Sequence, residues 1–170
     1  MKRKGQWIAL GTSALLLVLF GLHLIYAYIM KDQWTEKRAA EAAAKTQAGL
    51  VEITRAQKSV WDSQSIYWTL TGTDATGQEL MVWVRFQPGG QPAQGENTVH
   101  AEPLKNGLDE TRMREVIAKA LPQASVERLL PGVYDGEYAW QLFYKQDEHY
   151  YYQFFRFADG AAIGNPIYVN

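Results

Sequence analysis

The chain has 170 residues, 47% of them hydrophobic, and it contains no cysteine. It carries 17 Lys and Arg residues against 18 Asp and Glu residues, a formal net charge of −1 at pH 7. A chain without excess positive charge lacks the electrostatic footprint of a nucleic-acid-binding protein, so we predict no nucleic-acid partner. Without cysteine, disulfides and a cysteine-linked lipid anchor are excluded as well.

The N-terminal segment predicts a membrane anchor. Residues 7–30 contain no Asp, Glu, Lys or Arg, and as a helix they would be about 36 Å long, enough to cross a hydrocarbon core of ~30 Å. A secretory signal has a shorter apolar region that ends at a small-residue cleavage site, whereas Ala27 lies between Tyr26 and Tyr28. We therefore expect residues 7–30 to remain uncut as a transmembrane signal anchor.

The charges on either side of this segment predict its orientation. Lys2, Arg3 and Lys4 precede it without an acidic residue among them, so residues 1–6 should form a cytoplasmic basic tail. The protein would then be a single-pass protein of the cell membrane with residues 31–170 extracellular. The remaining 14 basic and 18 acidic residues give that outer part a net charge of −4.

The outer part begins with a helix and a hairpin. Thr35 can cap an alanine-rich helix over residues 35–48, and Gly49 suits the position after its last turn. A short strand over residues 51–58 should follow. Residues 66–86 then alternate apolar and polar side chains on both sides of a Gly/Asp-rich turn at residues 72–77, the pattern of an antiparallel hairpin.

A second helix and a second set of strands follow the loop Pro88–Asn97 and a short strand at residues 98–102. Asp109 can cap a helix whose apolar face is completed by Met113 and Ile117, and Pro122 lies where that helix should end. Further strands are predicted at residues 125–130, 137–145, 149–158 and 161–169.

The order of helix and strands therefore occurs twice outside the membrane. We predict an α+β protein in which the transmembrane helix is followed by two cystatin-like units, each with one helix packed on an antiparallel sheet. The first unit would cover residues 31–103 and the second, which is also PepSY-like, residues 104–170.

Two stretches carry a resemblance to a known family: YWTLTGTDATGQELMVWV in the first unit and YAWQLFYKQDEHYYYQFFRFADG in the second. Together with the basic start, the apolar span and helix 35–48, they resemble the YpmB/TseB family of bitopic cell-wall elongation regulators. Members of that family have two cystatin-like domains related to PepSY modules. The resemblance covers nearly the whole chain.

This resemblance implies a non-enzymatic regulator of peptidoglycan synthesis in a Gram-positive cell envelope. Such a regulator would act during cell elongation by contact with a class B penicillin-binding transpeptidase. The family has no catalytic residues that could be assigned to this chain. Two other functions stay open: a PepSY-type inhibitor or chaperone of an exported protease, and a wall hydrolase.

The residues themselves predict no catalytic, metal or cofactor site. His23, His100 and His149 are far apart, and no cysteine can join them as a ligand. No serine lies in a nucleophile motif, and no glycine-rich phosphate loop follows a strand. We therefore predict that the chain is not an enzyme.

Aromatic residues in the strand 149–158 give the candidate binding residues. Side chains alternate between the two faces of a strand, and we expect Tyr150, Tyr152 and Phe154 to pack under helix 109–121. The other face would be a partner-binding surface for a protein or a glycan, or else it would pack against the first unit or a covering loop. Its residues are Tyr151, Gln153, Phe155 and Phe157.

Overall fold

The computed structural model describes the backbone of residues 2–169 and the side chains of residues 15–26 and 32–169. Two α-helices and eight strands make up the described chain, with one 3₁₀ turn at Leu104–Asn106. The elements are α1 (Lys2–Ala48), β1 (Leu50–Val60), β2 (Ile66–Asp74), β3 (Glu79–Arg85), β4 (Val99–Pro103), α2 (Glu110–Ala120), β5 (Ser125–Tyr134), β6 (Glu137–Gln146), β7 (His149–Arg156) and β8 (Ala162–Val169).

The chain divides into two units, Met1–Thr35 and Glu36–Asn170. In the first unit the described apolar side chains, such as Leu17 and Phe20, are exposed. Among the described residues, no helix is both long and apolar enough to cross a membrane. The predicted anchor at residues 7–30 lies partly outside them, because the side chains of residues 7–14 and 27–30 are not described.

The helix predicted at residues 35–48 is the last part of α1. Its predicted start at Thr35 is wrong, since α1 continues through that position, where neither glycine nor proline interrupts the helix-favouring sequence. Its predicted end is confirmed. Gly49 has φ +72°, the left-handed conformation that commonly terminates a helix.

The first sheet is antiparallel in the order β1-β2-β3-β4. Leu70 lies opposite Val82 in the register of β2 and β3, so both side chains project from the same face. Ala40 and Ala44 of α1 are fully buried in the same cluster. Their small side chains let the helix backbone lie close to this face of the sheet.

The turn between β2 and β3 is shorter than the sequence predicts. Gly72 lies within β2, and the chain reverses after Asp74, whose carboxylate accepts hydrogen bonds from the backbone and side chain of Thr76. A Cβ atom on Gly72 would lie 2.0 Å from the carbonyl oxygen of Glu52. This glycine is therefore required by the close approach of β1, and it does not form the turn.

The second sheet is also antiparallel, in the order β5-β6-β7-β8. Trp140 lies opposite Phe155 in the register of β6 and β7, and both are buried in one cluster with Met113 and Ile117 of α2. We call this helix-covered side the inner face of the second sheet. Asp109 caps α2 by accepting a hydrogen bond from the backbone of Arg112 at 2.8 Å, as predicted.

The predicted assignment of the faces of β7 is wrong. Phe155 packs with α2, and Phe154 projects to the opposite side. The buried face of β6 decides this arrangement. Trp140 and Leu142 lie on that face, and Phe155 projects to the same side because it is paired with Trp140. The aromatic residues that were expected under the helix therefore lie on the outer face.

The two sheets share a hydrophobic core. Met81 and Trp83 of β3 belong to the same buried cluster as Trp140, and the ring of Trp83 lies 4.7 Å from that of Tyr138 and 5.0 Å from that of Phe157. The predicted α+β class and the two antiparallel sheets are confirmed. The predicted boundary between residues 103 and 104 stays a prediction.

Replacing Trp140 by alanine should severely destabilise the fold. The side chain is 2% exposed, and its indole nitrogen donates a 2.9 Å hydrogen bond to the carbonyl oxygen of Leu108, just before α2. We expect Trp140→Ala to lower the free energy of unfolding by about 3–5 kcal/mol, measured by chemical denaturation. Val60→Ala, at an exposed position, is the control. An unfolding midpoint of Trp140→Ala equal to the parent's would contradict the described core.

Candidate functional site

The outer face of the second sheet carries a row of aromatic side chains. Phe143 lies opposite Tyr152, and Lys145 opposite Tyr150, in the register of β6 and β7. Side chains alternate along a strand, so these four residues lie on the side away from Trp140 and α2. We call Phe143, Tyr150 and Tyr152, with the flanking Arg128 and Lys145, the outer ring surface.

The rings of this face form a continuous row in which each contacts the next. The Phe143 ring centroid is 5.4 Å from that of Tyr150 and 4.8 Å from that of Tyr152. Trp61 continues the row with an edge contact of 5.4 Å to Tyr152 and one of 4.8 Å to Phe154. Aromatic contacts of this kind have preferred geometries and stabilise the packing of the rings against one another.

Trp61 reaches this face because the end of β1 crosses the edge of the second sheet. The buried Ser59 hydroxyl donates a 3.1 Å hydrogen bond to the Oε1 atom of the buried Gln141. A Cβ atom on Gly132 would lie 2.4 Å from the Ser59 hydroxyl oxygen, so the close approach depends on a glycine in β5. Trp61 follows two residues later and is held over Phe154.

Two cations flank the exposed rings. The Arg128 guanidinium lies 5.8 Å from the centre of the Phe143 ring and donates a 3.1 Å hydrogen bond to the hydroxyl of Tyr152. Lys145 lies 5.9 Å from the centre of the Tyr150 ring, and its hydrogen bond to Glu148 raises the pKa of the lysine. The cation–π geometry favours a position of both side chains beside the rings.

The residues predicted for partner binding lie on the inner face. Gln153, Phe155 and Phe157 are each at most 4% exposed, and Tyr151 is half-buried against the same core. The side-chain amide nitrogen (Nε2) of Gln153 donates hydrogen bonds to the backbone carbonyl oxygens of Phe154, Ile163 and Gly164. This polar residue therefore stabilises the irregular pairing of β7 and β8 from inside the protein.

Sequence reasoning missed the outer ring surface, although β6 contains a signal for it. In YAWQLFYKQ, the positions that share a face with Trp140 are Tyr138, Leu142, Tyr144 and the terminal Gln146, and all but the last are aromatic or aliphatic. The alternate positions include Gln141 and Lys145. This difference in polarity marks the face of β6 that is exposed, and pairing with β6 then determines the outer residues of β7.

The described residues offer no arrangement for metal chemistry. Nowhere among them do three or more His, Asp or Glu side chains lie close enough together to hold a metal ion. Glu137 is paired with the guanidinium of Arg156, and Asp159 pairs with the same guanidinium at 3.0 Å. These two carboxylates raise the pKa of Arg156 above its usual range, so they act as ion-pair partners of a permanent cation.

Comparison with known proteins finds a matching family model and a solved structure of similar fold. Residues 39–85, from the end of α1 through β3, match the family model described as a cell wall elongation regulator TseB-like domain. The solved YpmB protein from Bacillus subtilis is similar, with a TM-score of 0.63 and 22% sequence identity over 78% of this chain and 96% of that chain. No curated protein matches the chain. The predicted resemblance to the YpmB/TseB family is confirmed by the matched domain and the similar fold.

Removing the Ser59 hydroxyl should loosen the contact that places Trp61. Ser59→Ala leaves the buried Oε1 atom of Gln141 without its donor, and an unsatisfied buried acceptor costs about 1–3 kcal/mol. We expect a corresponding decrease in the free energy of unfolding, measured by urea denaturation. Ser63→Ala, in the exposed turn after Trp61, is the matched control. Equal stability of the two variants would contradict a structural role for the Ser59–Gln141 hydrogen bond.

Proposed function

We propose that this protein is a membrane-anchored, extracytoplasmic regulator of peptidoglycan synthesis during cell elongation. It would act by direct contact with a class B penicillin-binding transpeptidase. The TseB-like match over residues 39–85 supports the regulatory role. The charge-free segment at residues 7–30 and the basic residues before it support the anchor and its orientation.

The outer ring surface is the observation on which the proposed contact rests. It combines three partly exposed rings, of which Tyr150 is 40% exposed, with an arginine held in place by Tyr152. Tyrosine and arginine are enriched among residues that dominate interface energy, because they bury large areas and also provide hydrogen bonds. Side chains that already contact one another before binding have less conformational entropy to lose when a partner binds.

The charges of this surface indicate the complementary surface on the partner. Arg128 and Lys145 flank the rings, while Glu148 already neutralises part of the charge of Lys145. A transpeptidase segment with apolar side chains against the rings and a carboxylate near Arg128 would satisfy both requirements. An anchor in the same membrane as the transpeptidase would increase the effective concentration of each protein for the other.

Tyr150→Ala should weaken capture of the transpeptidase by the full-length protein by about tenfold or more, as truncation of an aromatic anchor does at other interfaces. The measurement is co-purification of the transpeptidase from membranes, with a thermal melt of each variant. Tyr168→Ala is the matched control. Tyr168 is 51% exposed, and its pairing with Tyr151 places it on the opposite side of the same sheet.

The pair of variants distinguishes the two faces of the second sheet. Loss of capture in Tyr150→Ala, with Tyr168→Ala within about twofold of the parent, would support the outer ring surface as the contact. Loss of capture in Tyr168→Ala alone would show that the contact lies on the face of the sheet that carries Tyr151. If neither variant changes capture and His149→Ala or Glu137→Gln abolishes wall synthesis, contact through these rings is wrong and catalysis has to be considered.

The anchor should be present in the mature protein. The small residues that a signal peptidase recognises are missing directly after the apolar segment. We expect the intact mass of the membrane-extracted protein to include residues 1–30. A mature chain that begins between Ala27 and Ala44 would show that the segment is a cleaved signal.

A further inference from the structure

A cleft of about 280 Å³ lies away from the outer ring surface, where the end of β4 and the 3₁₀ turn meet β6 and β7. Its walls are preformed by backbone hydrogen bonds, from Leu108 to the carbonyl oxygen of Phe157 and from Phe157 to that of Tyr138, both at 2.8 Å. The residues that line it are Glu102, Asn106, Glu137, Tyr138, Arg156, Phe157 and Ala158.

Negative charge predominates in the cleft. Glu102 and Glu137 both line it, and its one permanent cation, Arg156, is already shared between Glu137 and Asp159. The pKa of Tyr138 is raised by burial, by Tyr67 and by the charge of Glu102. Burial is the largest of these causes, and the preference for a positively charged ligand comes from the two lining carboxylates, which outnumber the guanidinium of Arg156.

Glu102 is the carboxylate with remaining capacity to bind a ligand. Its Oε2 atom accepts a 3.3 Å hydrogen bond from Asn106. Its Oε1 atom lies 3.2 Å from Nε2 of His100, but that buried nitrogen makes no hydrogen bond within the described part of the chain. A misaligned contact contributes little, so the Oε1 atom of Glu102 keeps its capacity to accept a hydrogen bond.

The opposite wall of the cleft is apolar and has a fixed position. The Tyr138 ring stacks on that of His100 with centroids 4.0 Å apart and planes 7° apart. Phe157 is 4% exposed. Its ring lies so close to Gly107 that a Cβ atom on this glycine would be only 2.3 Å from the ring. An aliphatic chain could therefore pack along Phe157 and Ala158 with its end near Glu102.

We propose that this cleft binds a primary ammonium group at the end of an aliphatic chain. The ammonium would donate to the Oε1 atom of Glu102, and the methylene groups would pack against Phe157 and Ala158. A lysine side chain has this chemistry, and so does the side chain of a diamino acid in a wall peptide. The ammonium site itself does not depend on the function proposed above.

Calorimetric titration of the full-length protein tests the site with two probes. Nα-acetyl-lysine amide should bind with a roughly millimolar dissociation constant, the range expected for a small fragment. Nα-acetyl-norleucine amide has the same aliphatic stem without the ammonium group and should bind at least about tenfold more weakly. Equal binding of the two probes, or no binding of the lysine probe, would overturn the proposal.

Two variants place the binding in the cleft. Glu102→Gln keeps the size of the side chain and removes its charge. It should weaken binding of the lysine probe by about tenfold. Ala158→Leu should weaken the probe by filling the cleft. Glu127→Gln, at an exposed position on β5, is the charge-matched control and should bind as the parent does. Unchanged binding in both cleft variants would show that the probe binds elsewhere.

Competition distinguishes the two sources of the ammonium group. A wall stem peptide with a free diamino-acid amine should displace the lysine probe if the wall is the source, and acetylation of that amine should abolish the displacement. If the purified transpeptidase displaces the probe and the stem peptide does not, the source is a lysine of the protein partner. Either result supports the ammonium site.

Discussion

The burial of Trp83 between the two sheets is the interaction on which the rest of the structure depends. This β3 side chain is 1% exposed, and its ring contacts Tyr138 and Phe157 of the second sheet. A tryptophan cannot be covered by its own four-stranded sheet, because one face of that sheet already packs on α1. The second sheet and α2 provide the missing cover, so the two sheets share the core around Trp83.

This shared core also determines which surfaces remain accessible. With Trp140 and Phe155 turned toward α2 and Trp83, the other side of the second sheet has to face outward, and its aromatic row stays accessible apart from the part that Trp61 covers. The same packing brings the end of β4 to Tyr138 and so creates the acidic cleft. Both candidate sites are thus consequences of how the sheets meet.

Local patterns predicted most of the secondary structure. The alternation in residues 66–71 and 80–86, the cap at Asp109 and the left-handed Gly49 all correspond to features of the structure. These signals depend on neighbouring residues and on the period of the chain, which the sequence contains in full. The start of α1 was not predictable from Thr35, because a capping residue within a continuous helical sequence does not have to act as a cap.

The faces of β7 show where prediction from the sequence failed. The run YYYQFF places an aromatic residue on both sides of the strand, so hydrophobicity alone does not distinguish the inner side from the outer one. The choice depends on pairing with β6, whose buried face is set by Trp140. The three candidate partner-binding rings, Tyr151, Phe155 and Phe157, were for this reason placed on the wrong side.

The sequence by itself determined the elements, the α+β class and the family resemblance, because each depends on local periodicity or on recognisable stretches of residues. The tertiary structure alone decided which rings are buried and which groups meet in the cleft. Ser59 and Gln141 are 82 positions apart, and Glu102 and Phe157 are also distant in the chain. Contacts of this kind follow from the packing of whole sheets, and no local pattern encodes them.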